Sequence, residues 1–203
     1  VLDENAASEV LANTCSVIKS MGLTHWIDSG TLLSAYRDGG INVYDHDIDI
    51  RMLLDEVSEE TETELIKRLW SIGYRSIANL QNRRAQILAS HPRGTGVLLD
   101  LKFCEQDDKD IWYYCWKEPD PTPSIHIYPI KFFKNMGQIE LMGNKYPCPT
   151  PVEEYIKYHY GDEWRLFKVR ADEANETDLS WDYMKDPPCS MSLPELIALK
   201  SSR

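Results

Sequence analysis

Three aspartates spaced two apart, Asp45, Asp47 and Asp49, constrain this chain more than any other stretch. His46 and Ile48 interleave with them and Ile50 follows. In a β-strand alternate residues share a face, so a strand here sets the three carboxylates on one side and sends the isoleucines to the core. Such a row repels itself unless a cation neutralises it. Oxygen-only donors on a rigid element suit Mg²⁺ or Mn²⁺. Upstream, Leu23 to Asp28, with His25-Trp26-Ile27 at its heart, reads as a short strand leading into Ser29-Gly30-Thr31, which opens the helical pattern TLLSAYR. Free N–H groups at a helix N-terminus cradle phosphate, which makes Gly30 and Thr31 candidates for that task. Arg37 lies between the cradle and the acidic strand, where it can grip a phosphate bidentately or pair with Asp38. A phosphate cradle followed by a metal-binding strand is the outline of a phosphoryl-transfer site.

Composition bounds the partners. The chain has 203 residues, 42% of them hydrophobic, which fits one domain with a substantial core. A formal charge of −11 disfavours a nucleic-acid polymer as partner. A small anionic nucleotide stays compatible, because a divalent ion inverts the local field. No stretch reaches the ~18 consecutive apolar residues of a membrane span. The chain starts at Val1 with no Met and no signal-peptide pattern, which reads as a processed chain or an excised domain. Cys15, Cys104, Cys115, Cys148 and Cys189 form no CxxC pair, so a zinc ribbon has little support. Cys15 reads as a buried helix thiol, and the other four are open to disulfide pairing in a secretory chain. Asn175-Glu176-Thr177 is a glycosylation sequon.

In chain order, residues 3–21 have the spacing of an amphipathic helix, with Gly22 at its C-terminal stop. Residues 58–73 predict a second helix, N-capped by Ser58. Two strands, 74–80 and 85–89, flank the turn Gln81-Asn82-Arg83-Arg84. The apolar strand GVLLDLKF, 96–103, carries Asp100 and Lys102 on one face. A carboxylate in so apolar a strand needs a partner. Lys102 offers one, but Asp100 is better read as the third carboxylate of the metal site and a candidate base, because a neighbouring strand is where a third ligand must sit. Further strands are expected at 111–116, 125–133 and 137–142, with a Pro-rich loop at 117–124. His126 reads as a hydrogen-bonded strand histidine rather than a ligand. Thr150-Pro151-Val152-Glu153 has the form of a capping box opening a helix that ends at Gly161. Residues 171–203 are polar and weakly patterned, a tail that wraps the surface or is partly mobile.

Two separated stretches coincide with one pattern. SGTLL, Arg37 and YDHDIDI come first, and YPCPTPVEEYIKYHYGDEW at 146–164 follows. Together they resemble the LicD family, which includes bacterial phosphocholine transferases and the fukutin and fukutin-related proteins. The resemblance covers roughly residues 8–165. It implies an α+β fold, a nucleotidyltransferase-like mixed sheet with packed helices. The catalytic domain would then be 1–165 and the tail 166–203. It further implies transfer of a phospho-alcohol, such as phosphocholine or ribitol phosphate, from a CDP-linked donor to a glycan hydroxyl, assisted by Mg²⁺ or Mn²⁺. Asp47, Asp49 and Asp100 match the metal and catalytic carboxylates, and Asp45 matches the preceding aspartate at the margin of the site. Gly30 and Thr31 match the cradle, and Arg37 and Lys102 would hold phosphate oxygens. His46 would point away from the carboxylate face. Trp164 is a candidate to stack on cytosine or face a choline cation. A Golgi or other secretory-lumen location goes with eukaryotic members, and a cytoplasmic one with bacterial members. Rival readings are a nucleotidyltransferase that leaves a nucleoside monophosphate on its acceptor, a DxD glycosyltransferase, and a non-catalytic glycan-binding relative.

Overall fold

A computed structural model describes residues 2–43, 45, 47–78, 87–90, 97–115, 122–166 and 187–202. His46, the 81–84 turn, most of the Pro-rich loop and the 175–177 sequon lie outside the described residues. The first helix, α1 (Glu4–Ser20), begins where the Asp3 carboxylate accepts from the Ala6 N–H at 3.0 Å. Ala7, Val10, Leu11, Thr14 and Ile18 form its buried stripe, and the chain leaves it through Gly22 at φ 72°. Strand β1 (His25–Ile27) and helix α2 (Ser29–Asp38) follow.

The acidic strand, β2 (Asp47–Leu53), lies between β1 and β5 (Leu98–Gln106). It starts later than the sequence implied. Asp45 precedes it, because its N–H turns back to the Asn42 carbonyl at 3.0 Å instead of joining a ladder. β1 runs antiparallel to β2, whereas β2 and β5 run parallel with Asp49 opposite Asp100 and Arg51 opposite Lys102. Equal phase on adjacent strands puts these side chains on one face. Ile48, Ile50, Met52, Leu99, Leu101 and Phe103 take the other, where they join α1 and Leu65 and Leu69 of α3 (Glu59–Ser71) in one core. The hairpin β3 (Arg75–Ala78) and β4 (Ile87–Ser90) extends the sheet along the first half of β5.

The second half of β5 pairs with β6 (Asp110–Cys115), and β6 pairs with β7 (Ser124–Pro129), both antiparallel. β7 stops short of the expected 133, since Pro129 has no N–H to extend a ladder and residues Ile130–Phe132 form a 3₁₀ turn. A separate hairpin, β8 (Gly137–Leu141) and β9 (Asn144–Cys148), turns through Met142 and Gly143, both at positive φ. Helix α4 (Val152–Tyr160) follows, but without the expected capping box. The Thr150 hydroxyl donates to the Asn135 carbonyl, and Glu153 is engaged by Tyr36 and Arg165. Tertiary partners have outbid the local cap.

The described end of the chain is ordered into the fold. β10 (Ser190–Met191) pairs antiparallel with β7, and α5 (Leu193–Ser201) packs Leu196 on Trp112, Tyr114, Ile125 and Ile127. A capping box does form here, between Ser192 and Glu195. No disulfide joins the five cysteines. No helix among the described residues is long and apolar enough to cross a membrane. The result is a mixed eight-stranded sheet with packed helices, and the carboxylate face of β2 and β5 opens on a cavity.

Candidate active site

The cavity has a volume of about 290 Å³. Asp47, Asp49 and Asp100 line it, each offering a carboxylate oxygen within 4.8 Å of the other two. Asp49 and Asp100 are buried and Asp47 is half-buried. Asp45 also lines the cavity, from the turn ahead of β2. Burial first, then the neighbouring Asp45 and Asp100, pushes the Asp47 carboxyl up to about 7. Burial likewise raises Asp49; Arg51 pulls it back, Asp47 and Asp100 add to the rise, and the balance stands at about 7. Crowded carboxylates of this kind bind protons or cations in place of one another.

Gly30 and Thr31 contribute differently from one another. The Gly30 N–H, in the first turn of α2, donates to Asp49 Oδ2 at 3.1 Å. The anion held at this helix start is therefore the chain's own carboxylate. A Cβ at Gly30 would run into the Asp45 carboxylate, so a side chain there would have to push Asp45 aside. Thr31 does not line the cavity. Its buried hydroxyl accepts from the Asp49 N–H at 2.8 Å and fixes β2 against α2.

Arg51 is the residue that the sequence reading passed over. It continues the alternation of Asp47 and Asp49, and its side chain is 1% exposed. Nη2 donates to Asp49 Oδ1 at 3.0 Å and to Ser29 Oγ at 2.9 Å; Nε lies 3.4 Å from Asp28 Oδ2 and Nη1 3.9 Å from Asp100 Oδ2. Its guanidinium also lies over the Tyr113 ring, 4.6 Å from the centroid. Asp28 in turn accepts from the Tyr155 hydroxyl at 2.6 Å, which ties α4 to the acidic centre. The signal in the sequence is an arginine in phase with two aspartates on one strand.

Lys102 ion-pairs with Asp100 Oδ2 at 2.8 Å and lies 5.5 Å from the Tyr113 centroid. Burial opposes its ammonium, but Asp100 outweighs that and holds its pKa above the ordinary lysine range. Asp100 thus pairs with Lys102 and at the same time stands beside Asp47 and Asp49. Arg37 lines the cavity too, but pairs with Asp38 at 2.7 Å and donates to the Leu166 carbonyl at 3.2 Å. Trp164 is buried at the cavity wall, 5.8 Å from the Tyr36 ring, with Arg165 over it at 4.2 Å.

The donor set fits a hard divalent cation. Asp28, Asp45, Asp47, Asp49 and Asp100 outnumber Arg51 and Lys102, so negative charge remains after the internal ion pairs. Oxygen ligands of that charge density match Mg²⁺ or Mn²⁺.

A sequence profile for the LicD/FKTN/FKRP nucleotidyltransferase domain matches residues 22–151. Ribitol-5-phosphate transferase FKTN of Mus musculus is 22% identical over 182 residues, which covers 90% of this chain and 36% of that protein. The Homo sapiens protein of the same name is also 22% identical, over 183 residues. An uncharacterised protein of Rickettsia typhi is 25% identical over 153 residues, 74% of this chain and 45% of its own length. The chain thus spans about a third of the length of the FKTN proteins. Among solved structures, ANT(2″)-Ia in complex with adenylyl-2″-tobramycin is 18% identical, with a TM-score of 0.43 over 70% of this chain and 68% of that one.

Proposed function

The chain belongs to the LicD/FKTN/FKRP nucleotidyltransferase-domain family, and from that premise we propose that it transfers a phospho-alcohol from a CDP-linked donor to a glycan hydroxyl. The observation that carries this reading is the acidic triad on two parallel strands, facing a cavity beside the start of α2. The name of its FKTN relatives supports ribitol phosphate as a donor class.

Asp47, Asp49 and Asp100 would hold Mg²⁺ or Mn²⁺, with Asp45 at the margin. The chemistry such an ion supplies when bound is charge neutralisation at the donor diphosphate. Lys102, fixed by Asp100, presents a cation at the cavity wall for phosphate oxygens. Arg37 serves the same end if it exchanges Asp38 for phosphate. Arg51, almost wholly buried, serves as a positioning residue that holds the Asp49 carboxylate. In the reaction the acceptor oxygen bonds to the phosphorus that carries the alcohol. The bond from that phosphorus to the bridging oxygen breaks, and CMP leaves. The hydroxyl proton goes to a triad carboxylate. Asp47 is better suited than the expected Asp100, because Asp100 is gripped by Lys102 and Asp47 is the more open of the two.

The test is a panel of CDP-ribitol, CDP-choline, CDP-glycerol and UDP-sugars, each with and without Mg²⁺, read by thermal shift and then by CMP release and product mass. A Mg²⁺-dependent shift with one CDP-alcohol, and an acceptor that gains its phospho-alcohol, is the expected result. Asp49→Asn should lower turnover by at least a hundredfold. An acceptor that gains CMP instead makes the chain an ordinary nucleotidyltransferase. No nucleotide-dependent shift at all makes it a binding relative.

A further inference from the structure

A second set of ligand-bearing side chains lies beside the same cavity, and two of its three members line it. His126 on β7, His159 on α4 and Cys189 just before β10 are all buried, and each offers a ligand atom within 4.8 Å of the other two. We propose that these three residues form a transition-metal site, for Zn²⁺ or a cation of similar softness, which clasps the C-terminal segment to the core.

The donor chemistry separates this site from the acidic triad. Two imidazoles and a thiol suit Zn²⁺ and its neighbours, whereas Mg²⁺ prefers oxygen. Cys189 Sγ lies 3.9 Å from His159 Nδ1. Zn–S and Zn–N bonds of about 2.3 and 2.0–2.1 Å at tetrahedral angles set the S···N edge at roughly 3.5 Å. Closure therefore asks for a few tenths of an ångström of side-chain movement. The two rings meet edge to face, with centroids 5.6 Å apart. The Tyr113 hydroxyl is 3.1 Å from His126 Nδ1, and the Tyr128 hydroxyl 2.6 Å from His159 Nδ1. The Tyr113 hydroxyl orients the His126 ring as an outer partner orients a metal-bound imidazole, whereas the Tyr128 hydroxyl has to leave His159 Nδ1 for that nitrogen to bind a metal.

The thiol that joins this histidine–tyrosine network comes from a third part of the chain, thirty residues beyond His159. Both histidines line the cavity. On binding, the Cys189 S–H bond is replaced by a metal–thiolate bond and one proton leaves to solvent.

Co²⁺ titration of the chelator-stripped chain tests this directly. One equivalent should give thiolate-to-cobalt charge-transfer absorption and the intense visible bands of a tetrahedral site. Zn²⁺ should abolish both, and a large excess of Mg²⁺ should not. Cys189→Ser should lose the charge-transfer band, while Asp47→Asn and Asp49→Asn keep it. Hydrogen exchange of residues 187–202 in the unmutated chain provides a readout free of folding defects, and Zn²⁺ should slow it. Absence of the charge-transfer band, its survival in a folded Cys189→Ser variant, its displacement by Mg²⁺, or exchange unaltered by Zn²⁺ overturns the proposal.

Discussion

At the scale of single residues, the site rests on Arg51. Its charge is surrounded by Asp28, Asp49 and Asp100 with almost no access to water. Removing one partner of such a buried network strands the others, at a cost of about 3–5 kcal/mol. Arg51→Ala should lower unfolding stability by that amount in urea, well beyond what its packing volume accounts for. Arg51→Lys keeps the charge but not the planar fork, and should recover only part of the loss. This residue was within reach of the sequence, because the two-residue period runs on from Asp49 to position 51. What the sequence lacked was the neighbour. Only the register of β2 with β5 sets Lys102 beside Arg51 and Asp100 beside Asp49. Parallel strands separated by some fifty residues leave no local mark of their alignment.

At the scale of elements, local signals served where no tertiary partner competed. The stripe of α1, the Ser58 cap of α3 and the alternation of β2 and β5 were all readable, because burial and capping there are local matters. The capping box was placed at Thr150, where Asn135, Tyr36 and Arg165 draw its members away. A capping box forms instead between Ser192 and Glu195, in a stretch with little apolar periodicity. Ser192→Ala should therefore cost about 1 kcal/mol, seen as a lower urea midpoint, and Thr150→Ala should leave the helix content of α4 unchanged by circular dichroism. The hairpin of β8 and β9 was half read: the strand at 137 was expected, but its partner was hidden in a polar run, Asn144 and Lys145, whose exposed side chains carry no hydrophobic signal.

For the whole molecule, the acidic centre links stability to pH and to metal. The Asp47 carboxyl titrates near 7 in the fold and near 3.9 when unfolded. The folded state therefore holds that proton more tightly. The contribution is complete below about pH 4 and is lost as the pH rises to about 7. In chelator, the urea midpoint should fall across this window, and Asp47→Asn should flatten the fall. Mg²⁺ should restore most of the loss above pH 7, because the ion replaces the proton. A midpoint that rises over the same window would contradict the charge arrangement described.

The pairing of β10 with β7 carries a practical consequence at this scale. Among the described residues, the short stretch Cys189 to Met191 pairs with the outer edge of β7. An open strand edge is a template for other chains. A chain cut after residue 166 would retain every residue of the acidic triad, yet it should form soluble aggregates by light scattering, where the full chain stays monodisperse. The last helix and the short strand before it then act as a guard against self-association, and any attempt to trim this protein to its acidic centre must leave them in place.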